Sequence, residues 1–86
     1  MNITERVEHF LNEKMEEKKA KEMAITDHGL PETAKVYKFY SDDGYWVIVL
    51  KFKNKFYGLD SSKEVWEEDN HKSIIKKVKD SSGVDL

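Results

Sequence analysis

The run Tyr45-Trp46-Val47-Ile48-Val49-Leu50-Lys51-Phe52-Lys53 constrains this chain more than any other segment. It is dense in β-branched and aromatic side chains, contains neither glycine nor proline, and is preceded by the turn sequence Ser41-Asp42-Asp43-Gly44. Such a run reads as the central strand of a sheet. Val36-Tyr37-Lys38-Phe39-Tyr40 precedes it, and Phe56-Tyr57-Gly58-Leu59 follows it after Asn54, which suits the left-handed position of a tight hairpin. Connections this short join only antiparallel neighbours. A turn at Asp60-Ser61-Ser62 then leads into a short fourth strand at Glu64-Val65-Trp66, so the pattern predicts a meander of three to four strands.

Helical periodicity flanks this β region on both sides. Asn2 and Glu5 resemble a capping pair, and Ile3, Val7, Phe10, Leu11 and Met15 recur at the three-and-four spacing of an amphipathic helix starting at about residue 3. The stretch Glu16 to Glu22 keeps helix propensity and a favourable Glu17 to Lys21 pair but offers little apolar surface before Met23, so it reads as solvated or frayed. Asp27, Gly29 and Pro31 predict a loop over roughly residues 26 to 33. After the sheet, Asp69 or Asn70 caps a last helix that turns Ile74, Ile75 and Val78 inward, while Lys76, Lys77 and Lys79 complement its negative end. The fold class is α+β: an N-terminal helix, a three- to four-stranded antiparallel β-meander and a short C-terminal helix. The expected organisation is one domain over residues 1–80 with a flexible tail at 81–86.

At 86 residues there is room for one domain with a modest core. No cysteine is present, so no disulfide, thiolate zinc site or cysteine nucleophile stabilises or equips it. Apolar runs fall well short of a membrane span and no leader pattern is visible, so the expected setting is cytoplasmic, away from the membrane. A formal charge of −2, with Arg6 the sole arginine, disfavours nucleic acid as the partner without excluding it.

Strand alternation sorts the side chains by face. With two- or four-residue loops at every turn, Tyr37, Phe39, Trp46, Ile48, Leu50, Phe52, Tyr57, Leu59 and Trp66 share one strongly apolar face, expected to pack against helix one. The opposite face carries Val36, Lys38, Tyr40, Tyr45, Val47, Val49, Lys51, Lys53, Phe56, Gly58 and Val65. This mixture of aromatic, aliphatic and lysine side chains is the candidate binding surface, with Lys38, Tyr40, Tyr45, Val49, Lys51, Lys53 and Phe56 as its site residues. Aromatics that stack and lysines that track phosphates also suit single-stranded nucleic acid. The bland alternative is that the last helix, or a second copy of the chain, covers this face.

The segment from Ala34 to Glu68 resembles a PepSY-like module, a small α+β unit whose strands end in a hairpin reading Asp-x-x-Thr-Gly-x-Val. The matching residues are Asp60-Ser61-Ser62-Lys63-Glu64-Val65, preceded by the aromatic strand Phe56-Tyr57-Gly58-Leu59. The resemblance implies binding or inhibition of a protein partner and transfers no catalytic residue.

Other constellations have simpler readings. His9, His28 and His71 lack the spacing of metal ligands and read as surface or helix-end residues. Glu64, Glu67, Glu68 and Asp69 read as a solvated edge and helix cap. Asp27-His28 with Ser61 or Ser62 has no nucleophile elbow or oxyanion loop around it, and the isolated glycines build no phosphate cradle. The expectation is therefore a non-enzymatic module without catalytic residues, metal or cofactor. It binds a protein partner or itself through the mixed face or a strand edge; single-stranded nucleic acid on the same face is the alternative.

Overall fold

The computed structural model describes residues 16–42 and 44–86. Helix α1 (Glu17–His28) is followed by strands β1 (Lys35–Asp42), β2 (Tyr45–Phe52), β3 (Lys55–Asp60) and β4 (Val65–Glu68), and then by helix α2 (His71–Ser82). The strands form one antiparallel sheet in the order β1-β2-β3-β4, the meander that the turn sequences demand. Among the described residues one helix lies on each face, so the sheet is the middle of three layers.

On the first face Trp46, Ile48, Leu50 and Leu59 are buried with Ala20 and Ala24 of α1. Two alanines one turn apart let the helix approach the sheet closely. The charged half of the predicted first helix keeps Glu16 to Lys19 and Glu22 exposed, as expected, but packs on the sheet through a stripe of small residues. The stripe from Ile3 to Met15, including the expected partners Val7, Phe10 and Leu11, lies outside the described residues. The helix also runs further than expected, to His28. Gly29 caps it at φ 68°, and the Leu30 N–H donates to the Ile25 carbonyl at 2.9 Å, closing the last turn.

On the second face Val47, Val49, Phe56 and Trp66 are buried beneath Ile74 and Val78 of α2. Asn70 is the cap, its Oδ1 accepting from the Ser73 N–H at 2.9 Å. The last helix continues to Ser82, past the expected boundary at residue 80. Val84 and Leu86 then pack against the second core.

The simple alternation fails at two places, for two local reasons. Val36 pairs with Leu50 and Lys38 with Val49, which leaves Tyr37 as an extra residue in a β-bulge. Val36 therefore turns toward α1, and Tyr37 turns to the other face, where its ring meets Phe56 edge-on at 4.9 Å. The second failure is the β3–β4 loop. It has three residues, because the Asp60 N–H donates to the Glu64 carbonyl across it, and Lys63 takes the left-handed position at φ 69°. An odd loop reverses parity. Trp66 pairs with Gly58 on the α2 side, and Val65 goes to the other face, where it is half exposed. In the β2–β3 hairpin the left-handed residue is Lys53, φ 57°, one position before the asparagine expected there.

Candidate functional site

Helix α2 lies over β3 and β4 and reaches the middle of the sheet, and among the described residues part of β1 is left uncovered on that side. The result is a groove of about 520 Å³ between β1 and α2. His71, Lys72, Ile75, Lys76 and Lys79 line it from the helix; their spacing of one, three, one and three places them on one stripe beside the buried one. Strand β1 contributes Tyr37 and Lys38. The bulge that turns Tyr37 to this side also sets its hydroxyl 3.1 Å from His71 Nδ1, tying the strand to the first turn of the helix. Asp85 and Leu86 complete the lining.

The groove is apolar below and cationic at its rim. Tyr37, Ile75 and Leu86 are half-buried against the second core, while Lys38, Lys72, Lys76 and Lys79 are exposed. Among the described residues Asp85 is the one acidic residue of the lining, 4.0 Å from the Lys79 ammonium, with both side chains largely in solvent. This concentration of positive charge contrasts with a chain of net charge −2.

The seven residues expected from alternation are divided by the structure. Lys38 lines the groove, its ammonium 5.9 Å from the Tyr37 ring centroid. Tyr40, two residues further on the same face of β1, is exposed, and its hydroxyl donates to Asp42 Oδ2 at 3.2 Å. Desolvation first and the Asp42 carboxylate second hold that phenol above its ordinary pKa. Val49 and Phe56 are not surface residues; both belong to the second core under α2. The expectation of an open face fails for them because the last helix is long enough, and apolar enough on one stripe, to cover the centre of the sheet. Lys51 stays exposed with its ammonium 5.7 Å from the Phe56 ring centroid, and Lys53 sits in the hairpin turn with its ammonium 5.4 Å from that of Phe52.

Tyr45 has a structural role. Its hydroxyl donates to Asp60 Oδ2 at 2.8 Å, while Asp60 Oδ1 accepts from the Ser62 and Glu64 N–H groups at 2.9 and 3.0 Å. Asp60 is a buried polar residue of the sheet and organises the β3–β4 turn with both oxygens. Burial, opposed by a hydrogen bond with Ser82 and reinforced by Asp60, pushes the Tyr45 phenol up to about 12.

Alternation missed the lysine stripe of α2, which is where the groove draws most of its charge. Lys76 and Lys79 were legible as helix-end cations, but Lys72 and His71 acquire meaning only once β1 lies opposite. His28 donates from Nε2 to the Gly58 carbonyl at 2.8 Å and its ring meets Tyr57, so it joins α1 to β3. Of the acidic cluster, Glu67 bonds Lys55 at 2.8 Å; this hydrogen bond lowers the pKa of the glutamate and raises that of the lysine. Among the described residues no group of three or more histidine, aspartate or glutamate side chains is arranged to hold a metal ion, and no helix is long and apolar enough to cross a membrane. No family model matches the chain, and neither a curated protein nor a solved structure matches it.

Proposed function

We propose that this chain is a small protein-interaction module that takes a segment of a partner protein at β1 and the adjoining groove. The observation that carries this reading is the groove itself, whose apolar floor and lysine rim lie beside a strand that, among the described residues, pairs on one side only. Strand edges are ready templates for another chain, and a neighbouring groove adds side-chain selectivity to the backbone pairing. The PepSY-like hairpin at Asp60 to Val65 points in the same direction, since that resemblance implies binding or inhibition of a protein.

Single-stranded nucleic acid is the competing ligand, favoured by exposed Tyr40 beside Lys38. The protein reading is preferred because the groove's floor is aliphatic as well as aromatic and none of its cations is arginine. Panning a random-sequence peptide display library against the wild type and a Lys72→Glu/Lys76→Glu variant tests it. The expected result is enrichment on the wild type that the variant loses while its far-UV circular dichroism is unchanged. No enrichment on the wild type, or equal enrichment on both, overturns the reading.

A further inference from the structure

Resting on that reading, we infer that the groove selects an acidic segment in which apolar residues flank the acid, and that Val84-Asp85-Leu86 is this chain's own partial copy of such a ligand. The first argument is charge. Among the described residues four lysines line the groove and Asp85 is its one acidic side chain, so an incoming acid gains attraction from several cations at once. The second argument is the seated segment. Val84 and Leu86 pack onto the second core, while Asp85 between them reaches the Lys79 ammonium at 4.0 Å. An apolar-acidic-apolar triplet thus closes one end of the groove, with Leu86 on its floor and Asp85 at its rim. Among the described residues Lys38, Lys72 and Lys76 make no ion pair with Asp85, and they are the cations that would meet a longer segment.

The seated triplet is lightly held where it carries charge. Lys79 and Asp85 are 60% and 77% exposed, and an ion pair so open to solvent and salt contributes little. Asp85 therefore acts on an acidic ligand as a local repulsion that an incoming segment can overcome. Nucleic-acid bases stack best on flat aromatic rings, whereas the floor of the groove includes aliphatic Ile75, which is why the segment is assigned to a protein.

The test titrates three fluorescent probes into the full chain by anisotropy: an extended peptide of Val-Asp-Leu units joined by glutamate, the same peptide with every acid changed to its amide, and an oligothymidylate. The acidic peptide is expected to bind at least about tenfold more tightly than its amide counterpart, and Lys72→Glu/Lys76→Glu to remove that preference. Asp85→Asn, which removes the repulsion, is expected to tighten the acidic peptide about two- to threefold. Equal affinity for acid and amide peptides overturns the inference, and so does Asp85→Asn weakening the acidic peptide or leaving it unchanged. Tighter, lysine-dependent binding of oligothymidylate overturns it in favour of nucleic acid. If the display library yields peptides without acidic enrichment, the acidic assignment falls while the module reading stands; if it yields none, both fall.

Discussion

Two residues show how narrowly this sheet is specified. Gly58 has a neighbour on each side in the sheet, Val49 and Trp66, and the Trp66 indole lies across it. A methyl group at Gly58 would sit 2.8 Å from Trp66 Cε3, closer than carbon atoms tolerate. The indole has little room to move, because it is buried and its Nε1 donates to Ser81 Oγ at 3.3 Å. Gly58→Ala should therefore destabilise the protein by about 1 to 3 kcal/mol, measured by urea denaturation, despite the higher strand propensity of alanine. An alanine variant as stable as wild type would mean that the ring yields freely. Tyr45 makes a different kind of prediction. Its phenol is neutral in the fold up to about pH 12 but ionises near pH 10 when unfolded, so its contribution is fully present below pH 10 and is lost as the pH rises toward 12. The stability difference between wild type and Tyr45→Phe should thus shrink across that window in a pH series of denaturation midpoints. A constant difference would show that the two states share one tyrosine pKa.

At the scale of elements, the contrast between the helices explains which sheet residues are available to a partner. Helix α1 packs through Ala20 and Ala24, while α2 packs through the larger Ile74 and Val78. Among the described residues neither stripe extends the full width of the sheet, and the strip beside β1 becomes the groove. Phe56 lies under α2 rather than at this strip, 7% exposed with Tyr37 against its ring. Phe56→Ala should cost about 3 to 5 kcal/mol in equilibrium denaturation, the loss expected of a core aromatic and large for so small a domain. A shift no greater than that of a surface substitution would show that α2 does not cover this position. Lysine changes on the outer stripe of α2 should leave stability near wild type, which separates the binding test from the folding one.

Across the whole molecule, β2 is the element on which both cores depend. Ile48 and Leu50 face α1 while Val47 and Val49 face α2, all fully buried, so the most apolar run of the chain is buried on both sides. That burial leaves charge to the outside, and its distribution is uneven: a chain with a slight excess of acid presents one groove ringed by lysine. Such local concentration, more than net charge, decides what approaches a given surface.

The sequence by itself determined the elements: β-branched and aromatic runs punctuated by short turns specify an antiparallel meander, and the Asn70 cap with Ile74 and Val78 specifies the last helix. These are local signals, set by backbone propensity and by periodicity within one segment. Facing was legible for Phe39, Trp46, Ile48, Leu50 and Leu59, which lie between the bulge and the odd loop. It was lost at Val36, Tyr37, Val65 and Trp66, because a single extra residue at the bulge and a three-residue turn each reverse the parity beyond them. The candidate site was half legible for the same reason. Lys38 belongs to the groove, whereas Val49 and Phe56 are core and the α2 lysines join Lys38 only through packing. Where a helix comes to rest on a sheet depends on the fit of side chains distant in sequence, here Ile74 and Val78 against Phe56 and Trp66, and that fit was settled by the tertiary structure alone.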